Sequence, residues 1–599
     1  MTVRALGGLL VFNLFVLGVG AGLLWGIRGW RWWIDLVRLA GVAYLLGLAS
    51  LMILLTFEMV VGIPLGVATV VVSGVVLAVV GILVGRARGH SLPALGQARR
   101  LPGLTLFAAL FVAGIVVYLE ALVRADRLAG IVREWDGWAF WMPRAESIYF
   151  FGRLEPEFVE TLAQPSGYPP GLSTIQASTF HAMGSADTAS VHVQYWFLAV
   201  AFVAAVAGLL ARRVHHAILF PLLLLLLVAP SLLERVTTVY ADVPLGYLIG
   251  VAALLFVLWL EDRKTWQLAA ATILLAGAML TKREGLLFAA CVLLAALAAS
   301  WSERGRLWPR LVGAGVVAFA LTLPWRIWFT AHGLRSDAPD SGYLGAFDHL
   351  DRIWPSLELV VTTLFDRDLW RLVPFVAVAA IVLALAARAW NVAVFAGAFT
   401  ALAIAGATWA IWANPTLTIT QDDAGNPIVR ITGTTILTLG ILAPLLLQRA
   451  WSARKGDPNA TSHGIRLGPD ALIWRSRAAW AIVALGVLSH PGSMLVGYSG
   501  SGLPGGAPRY PGAADCVAAP ASGRSVRVVV GYADSYLEAD AIRGRALEAG
   551  LPVAEVEQDG CGRLRVFVDD VPTVDASQAL VTDAQAAGLE PTLELDPND

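Results

Sequence analysis

Carboxylates beside long apolar segments are the first candidates for chemistry in this sequence. Asp136 lies in the stretch REWDGWAFWMPR, two residues after Glu134, and Asp242 lies in VTTVYADVPLGYLIG. Acidic side chains are costly at such places and mark functional sites there. A carboxylate also takes a proton from a hydroxyl group when it works as a general base. Asp136, Glu134 and Asp242 are therefore the candidate catalytic residues.

Cations lie at comparable positions in the chain. Lys282 and Arg283 separate two apolar runs in LTKREGLLFAA, and Arg430 ends the polar stretch TQDDAGNPIVR. Arginine holds a phosphate group through two parallel hydrogen bonds, and lysine holds it as a point charge. Tyrosine and tryptophan rings add flat apolar faces that suit the C–H side of a sugar ring. The further candidate substrate-binding residues are Trp135, Trp138, Arg144, Tyr168 and Tyr240.

The two aspartates also have ordinary structural interpretations. Asp136 fits a helix cap or an ion-pair partner of Arg133 or Arg144. Asp242 fits a cap for the apolar segment that follows it. Both interpretations stay open at the level of sequence.

The cations and tryptophans have equally simple alternatives. Lys282 and Arg283 fit a solvated turn between two spans, and Arg430 fits a side chain that snorkels to the interface. Tryptophan rings favour the headgroup level of a membrane, so an anchoring role explains the following loop residues: Trp135, Trp138, Trp141, Trp325, Trp328 and Trp354.

The composition indicates an integral membrane protein. The 599 residues are 57% hydrophobic and 15% charged, whereas soluble domains carry about 25% charged residues. The formal net charge of −1 argues against a nucleic-acid partner. The basic residues include three lysines only, Lys264, Lys282 and Lys455. This bias toward arginine is associated with GC-rich genomes and favours a bacterial plasma membrane.

Hydrophobic runs of the length needed to cross a bilayer recur along the chain. A spanning helix needs about 20 mainly apolar residues. We predict an all-α polytopic protein with about fourteen spans, near 5–25, 37–56, 61–85, 104–122, 191–211, 217–233, 243–260, 266–281, 285–300, 311–329, 372–387, 392–412, 431–447 and 479–497.

Arginines concentrate in alternate loops, which the positive-inside rule places in the cytoplasm. The loops at 123–190, 330–371 and 413–430, and the chain after residue 498, then face outward, together with the candidate residues for chemistry. The loop 123–190 is too long for a simple connector, and we expect short amphipathic helices in it that lie on the membrane surface. The cytoplasmic loops contain Arg28, Arg31, Arg86, Arg88, Arg99, Arg100, Arg212, Arg213, Arg304, Arg306, Arg310, Arg449 and Arg454.

The segment 525–599 has a different pattern from the rest of the chain. VRVVVGYADSYLEADAIRGRALEAGLPVAEVE is repeated 38 residues later as LRVFVDDVPTVDASQALVTDAQAAGLEPTLEL. Each copy predicts strand, helix and strand, so the two copies predict a small α+β ferredoxin-like domain, βαββαβ. Residues 498–524 are rich in glycine and proline and predict a linker. Cys516 and Cys561 either pair in an oxidising space or remain free.

A base, a phosphate clamp and an aromatic platform are what a transferase acting on a lipid-phosphate sugar needs. The aspartate among aromatic residues in the first outer loop, the acidic turn YADVP and the later TKREG are similar to the pattern of the GT-C superfamily of polyprenyl-phosphate-dependent glycosyltransferases. Aminoarabinose transferases and protein O-mannosyltransferases belong to it. The resemblance covers roughly residues 104–450, within a catalytic region at 104–497 that follows N-terminal helices at 1–103.

The resemblance implies a role for each motif residue. Asp136 would be the general base that activates the acceptor hydroxyl, with Glu134 as its alternative. Asp242 matches the second acidic position, which orients the acceptor or, in some members, binds a divalent metal. Lys282 and Arg430 would contact the lipid phosphate. This chain departs from the simplest family pattern in having three extra spans before the catalytic loop and a single aspartate in its first motif, so metal dependence stays open.

The implied reaction is an inverting transfer from a polyprenyl-phosphate sugar to a hydroxyl of a cell-envelope glycan, lipid or protein, through an oxocarbenium-like transition state. No other cofactor is implied.

The repeated C-terminal segment resembles a SPOR domain, which implies an outward-facing module that binds peptidoglycan. A transporter or flippase of a lipid-linked sugar is the main alternative, although the charges cluster at one surface rather than at the bilayer midplane. A third alternative is an assembly protein whose C-terminal domain is the active part and whose spans only anchor it. Anchoring does not need fourteen spans.

Overall fold

A computed structural model divides the chain into two compact units, Met1–Gly500 and Ser501–Asp599. The structure describes residues 3–30, 32–91, 104–128, 132, 136–161, 167–188, 190–236, 238–334, 347–414, 425–454, 481, 526–533, 536–552, 555–558, 564–571 and 573–595.

The first unit is a bundle of α-helices. Apolar segments form helices in such a bundle because a helix satisfies its backbone hydrogen bonds internally. The helices are α1 (Val3–Arg28), α2 (Trp33–Val60), α3 (Val67–Ala87), α4 (Leu106–Leu128), α5 (Met142–Phe151), α6 (Pro156–Thr161), α7 (Gly171–Met183), α8 (His192–Leu210), α9 (His216–Leu227), α10 (Pro230–Val236), α11 (Asp242–Asp262), α12 (Thr265–Thr281), α13 (Glu284–Ala299), α14 (Arg304–Ala320), α15 (Leu323–Ala331), α16 (Ile353–Leu364), α17 (Arg367–Trp370), α18 (Val373–Ala386), α19 (Trp390–Trp412) and α20 (Gly425–Arg454).

Seven of the described helices are long and apolar enough to cross a membrane: α1, α2, α3, α8, α11, α19 and α20. Three further groups, α9 with α10, α13 with α14, and the stretch from α16 to α18, pass the same test but bend by 69°, 72° and 114°. The described residues therefore contain seven candidate spans, or up to ten if each bent group is one span. This architecture indicates a multi-pass membrane protein.

The predicted count of fourteen spans is not confirmed. The predicted spans at 104–122 and 266–281 contain the short apolar stretches Leu106–Leu122, which is part of α4, and Thr265–Thr281, which is α12. Each stretch has 17 residues and extends only about 25 Å as a helix. The predicted spans at 285–300 and 311–329 fall on the bent group of α13 and α14. The predicted span at 479–497 lies outside the described residues apart from residue 481.

Helix α11 lies at the centre of the first unit and determines where the polar ends of its neighbours meet. It is buried along its length and packs against α12 and α20. Arg430 of α20 bonds to Asp242 of α11, and Arg449 bonds to Glu261, with the same sequence separation of 188 in both pairs. Equal separations at both ends mean that α11 and α20 run parallel and in register. Helix α12 returns antiparallel, so its last residue lies beside the first turn of α11.

The described residues of the long loop form the short helices α5, α6 and α7 and contain no candidate span, as the sequence predicts. The predicted position on the membrane surface is wrong for α7, because residues 171–180 are buried against α1, α2 and α5. Polar residues tolerate this position because their hydroxyls bond within the helix. Ser178 donates to the carbonyl of Thr174, and Thr179 donates to that of Ile175, each at 2.8 Å.

The second unit contains a four-stranded sheet with the strand order β2-β3-β1-β4 and antiparallel pairing throughout. Its elements are β1 (Val526–Ala533), α21 (Tyr536–Glu548), β2 (Glu555–Gln558), β3 (Leu564–Val571), α22 (Val574–Ala586) and β4 (Thr592–Leu595). The order along the chain is the strand and helix order that the repeat predicts. Val528 and Val566, which are equivalent in the two copies, are both buried in the core of this unit.

Candidate functional site

Residues from four separate segments meet at the end of the bundle where α11 begins. Asp242 is the first residue of α11, and Lys282 directly follows α12. Glu284 begins α13, and Arg430 lies in the second turn of α20. Asp136 precedes a turn of π-helix at Gly137–Trp141 that leads into α5. The parallel and antiparallel packing around α11 brings these ends together.

These five side chains form one continuous network, which we call the ion cluster: Asp136, Asp242, Lys282, Glu284 and Arg430. The Nζ of Lys282 donates to Oδ1 of Asp242 at 2.8 Å and lies 3.0 Å from Oε1 of Glu284. The Nε of Arg430 donates to Oδ2 of Asp242 at 3.0 Å. The Nη2 of Arg430 donates to Oδ2 of Asp136. Arg430 therefore bridges the two candidate catalytic aspartates.

The ion cluster is largely withdrawn from solvent. The side chains of Lys282 and Asp242 are 4% and 8% exposed, and those of Arg430 and Asp136 are 14% and 16% exposed. Burial and the nearby Arg430 disfavour the charged amine of Lys282, but Asp242 and Glu284 outweigh them and hold the pKa of Lys282 above its ordinary value. Lys282 therefore stays charged over the physiological pH range.

The structure does not support the helix-cap interpretation of Asp136 and Asp242, whereas Arg133, the predicted ion-pair partner of Asp136, lies outside the described residues. The turn after Asp136 and the first turn of α11 both begin without a side-chain cap. The carboxylate of Asp242 instead accepts from Lys282 and Arg430. Because Lys282 and Arg430 are paired and mostly buried, a solvated turn and a snorkelling arginine are both wrong descriptions of them.

Aromatic rings lie against the cations, as expected of a platform for an organic ligand. The ring centroid of Tyr168 lies 5.4 Å from the guanidinium of Arg283 and 5.8 Å from Nζ of Lys282. The ring of Tyr240 lies 4.7 Å from the guanidinium of Arg430. Tyr168 also contacts Trp141, with 5.6 Å between ring centroids. Trp141 is fully buried, so it is not an interfacial anchor.

Arg144 is a buried cation on the other side of Tyr168. Its Nη1 donates to the backbone carbonyl of Tyr168 at 2.6 Å, and its guanidinium lies 5.2 Å from the ring centroid of Trp325. Its Nε and Nη2 have no hydrogen-bond partner among the described residues. Burial lowers the pKa of Arg144 to about 9. Trp325 is only 3% exposed, so the predicted anchoring role is wrong for this tryptophan.

Four buried polar atoms next to Tyr168 and Lys282 lack a partner within the described part of the chain. They are the donors Nε and Nη2 of Arg144, the donor Nε1 of Trp141 and the acceptor Oε2 of Glu284. Unsatisfied buried groups are rare in proteins and need an explanation, such as a missing ligand or water. A ligand with anionic oxygens and hydroxyl groups would satisfy both kinds of atom.

Several predicted residues lie outside the described part of the chain. This applies to Glu134, Trp135, Cys516 and Cys561, so the alternative base and the disulfide remain predictions. The backbone of Trp138 forms part of the π-helical turn, but its side chain is not described. No group of three or more His, Cys, Asp or Glu side chains within the described ranges is arranged to hold a metal ion.

Sequence reasoning did not include three contributors to the site. Glu284 lies in the motif TKREG but was assigned no role, although its position two residues after Lys282 is a usable signal. Arg235 interacts electrostatically with both Asp242 and Arg430. It lies at the end of α10, shortly before Asp242, and a cation close before an acidic turn could have indicated it. No signal in the sequence marks Trp325, whose contact with Arg144 spans two distant helices.

No protein-family model, curated protein or solved structure matches this chain.

Proposed function

We propose that this protein is a membrane glycosyltransferase that moves a sugar, with inversion, from a polyprenyl-phosphate donor to an extracytoplasmic hydroxyl of a cell-envelope glycan, lipid or protein. The observation that carries the proposal is the contact of Asp136 with Arg430, which joins the candidate base to the candidate phosphate-binding cations in one buried network. The partnerless polar atoms beside this network point to a ligand that is both anionic and hydroxylated.

The charge around the site favours a phosphate ligand. The three carboxylates of the ion cluster are accompanied by Lys282 and Arg430 within it and by Arg144, Arg235 and Arg283 around it. Glu234 also acts on Arg235, so five cations face four carboxylates, and the surplus of one positive charge suits the single negative charge of a lipid phosphodiester. The two partnerless N–H groups of Arg144 match the bidentate geometry with which arginine binds phosphate oxygens.

Asp136 is the proposed general base. Its carboxylate takes the proton of the acceptor hydroxyl while the hydroxyl oxygen bonds to the anomeric carbon. The bond between that carbon and the phosphate oxygen breaks, and the polyprenyl phosphate leaves as an anion that needs no proton. Arg430 holds Asp136 by one carboxylate oxygen and thereby fixes its orientation. Fixed cations stabilise the charge that develops on the leaving group.

Asp242 positions the cations rather than reacting. It holds Lys282 and Arg430 through different carboxylate oxygens, so both cations are oriented before a ligand arrives. Pre-oriented charges in a site that excludes water need no reorganisation during the reaction. The rings of Tyr168 and Tyr240 would lie against the apolar face of the transferred sugar.

The C-terminal unit is proposed to be a ferredoxin-like, SPOR-like module that binds peptidoglycan. The antiparallel sheet with order β2-β3-β1-β4 and the two helices support this architecture, although a fold by itself does not assign a ligand. Sedimentation with purified peptidoglycan would test the binding. We expect the full chain to co-sediment and a chain that ends at residue 500 to remain in the supernatant; equal co-sedimentation would contradict the assignment.

The test of the enzymatic proposal is sugar transfer from a panel of labelled polyprenyl-phosphate sugars in reconstituted membranes. The variant Asp136→Asn keeps an oxygen for Arg430 but cannot act as a base, so we expect transfer to fall by at least a hundredfold. The matched control is Asp368→Asn, which changes an aspartate that is 98% exposed and should transfer like the unchanged protein.

Each result of this assay has a defined meaning. Equal transfer by Asp136→Asn and the unchanged protein would contradict the role of Asp136. Movement of the labelled lipid between leaflets without loss of the donor would contradict the enzymatic proposal and favour the flippase. The three bent helix groups are compatible with that alternative, since broken helices are common in transporters.

A further inference from the structure

A second polar region lies at the opposite end of the first unit. An open cavity of about 1120 Å³ is lined by the ends of α1, α2, α3, α8, α11 and α12. Helix α11 extends from Asp242 in the ion cluster to Asp262 beside this cavity, which is roughly 30 Å for a helix of this length. The two regions are therefore separate sites. The cavity is at the end that the arginine-rich loops predict to be cytoplasmic.

The lining of this cavity, which we call the basic cavity, is strongly cationic. Asp35 is the one carboxylate among the described lining residues. The lining cations are Arg28, Arg38, Arg212, Arg213, Arg263 and Lys264.

Three of these cations are neutralised by carboxylates just behind the lining. Arg213 donates to Asp262 at 3.1 Å, and Lys264 lies 3.3 Å from the same carboxylate. Arg263 pairs with Glu303. These contacts pair the cations at the end of α11 with carboxylates.

The other three arginines are less well compensated, because Asp35 is shared between Arg28 and Arg38. Asp35 lies 3.7 Å from Nη2 of Arg38, while Arg212, Arg28 and Arg213 all repel Arg38. The Nε of Arg38 is buried and has no hydrogen-bond partner among the described residues. Like charges held close together around a cavity repel one another unless an anion compensates them. The arrangement of these arginines thus indicates a bound anion.

The walls and size of the cavity indicate a ligand larger than a simple ion. Small-molecule sites in proteins have volumes of about 300–1,000 Å³, and the volume of this open cavity, about 1120 Å³, slightly exceeds that range. Trp266 and Trp30 line it; the guanidinium of Arg28 lies 5.6 Å from the ring of Trp266, and Nε1 of Trp30 is buried without a partner in the described chain. Donors and aromatic faces together suit a phosphate group attached to an organic body.

We propose that the basic cavity binds a phosphorylated organic anion through Arg28, Arg38 and Arg212. Two sources provide this chemistry at a cytoplasmic surface: the headgroup of an anionic phospholipid, or a soluble molecule of the size of a nucleotide. The site is distinct from the ion cluster and does not depend on the proposed transferase activity.

The test measures binding by the full chain in two arms. In the soluble arm, ATP and inorganic pyrophosphate are titrated into the purified protein in neutral detergent by calorimetry. In the lipid arm, the protein is placed in nanodiscs of phosphatidylcholine with and without phosphatidylglycerol, and retained lipid is measured by native mass spectrometry. The test variant is Arg38→Gln/Arg212→Gln. The matched control is Arg306→Gln/Arg310→Gln, which removes two exposed arginines outside the cavity.

We expect one arm to show binding that weakens with added salt. The test variant should bind at least tenfold more weakly for each arginine removed, about 1.4 kcal/mol each, while the control binds like the unchanged protein. The responding arm identifies the source of the phosphate. If the double variant does not purify as a single species, Arg212→Gln alone carries the test, because Arg212 is exposed. No binding in either arm, or equal binding by the test variant and the control, would overturn the proposal.

Discussion

Replacing Asp242 by asparagine should destabilise the protein more than the loss of any single surface charge. The substitution keeps the side-chain shape but removes the negative charge that faces Lys282 and Arg430 at 2.8 and 3.0 Å. At an effective dielectric constant of about 20, two unit charges separated by 4 Å attract by about 4 kcal/mol. Removing one partner of a buried ion pair costs about 3–5 kcal/mol, because the other charge stays buried without compensation. Arg430 retains Asp136 and Lys282 retains Glu284, so each cation loses one of its two carboxylates and the cost should lie toward the lower end of this range.

The measurement is the denaturant midpoint of unfolding of the purified protein in detergent, followed by tryptophan fluorescence. We expect a clear decrease for Asp242→Asn and no measurable change for Asp368→Asn, whose side chain is 98% exposed. The double variant Asp242→Asn/Lys282→Met should recover part of the loss, because it also removes the more deeply buried of the two cations that Asp242 compensates.

Two results would refute this reasoning. If Asp242→Asn unfolds at the same midpoint as the unchanged protein, the cations are not desolvated and the ion cluster contributes little. If the double variant loses more stability than Asp242→Asn and Lys282→Met lose together, then Lys282 is not the group that Asp242 compensates. Coupling between residues in contact is typically about 0.5–3 kcal/mol, which is large enough to distinguish these cases.

Three further predictions test packing, pH dependence and the buried guanidinium. A Cβ at Gly20 would lie 1.7 Å from the carbonyl oxygen of Ala43 on α2, whereas a Cβ at Gly18 would lie in open space. Gly20→Ala should therefore lower the unfolding midpoint by the equivalent of about 1–3 kcal/mol. An equal effect of Gly18→Ala would contradict this prediction. Burial raises the pKa of Glu146 above its ordinary value of 4.5, so its contribution to stability is present below that value and is lost as the pH rises through the raised pKa. Glu146→Gln should then lose less stability than the unchanged protein between pH 4 and 7, and parallel pH profiles would argue against it. Arg144→Gln should leave the unfolding midpoint unchanged or higher, because two N–H groups of Arg144 lack partners among the described residues. The same variant should raise the KM for the lipid-phosphate donor. A lower midpoint with an unchanged KM would mean that Arg144 has a structural role only.

The sequence by itself determined the class of protein and most of the chemistry-bearing residues. A chain with 57% hydrophobic residues in long apolar runs has to form helices, because no other open structure satisfies its backbone in lipid. Charges are so rare beside these runs that Asp136, Asp242, Lys282 and Arg430 could be selected individually, and the structure brings all four together. The internal repeat likewise predicted the order of strands and helices in the C-terminal unit.

Only the tertiary structure decided which helix faces which. Helices such as α11 and α3 are apolar on all sides, yet α11 is buried throughout and α3 is mostly exposed. Lipid tails are as apolar as the interior of the bundle, so the sequence pattern does not distinguish a lipid-facing surface from a packed one. For this reason the sequence could not predict the burial of Trp325 against Arg144 or the bridge from Arg430 to both aspartates. These contacts depend on the register between helices, which small residues and a few polar pairs determine.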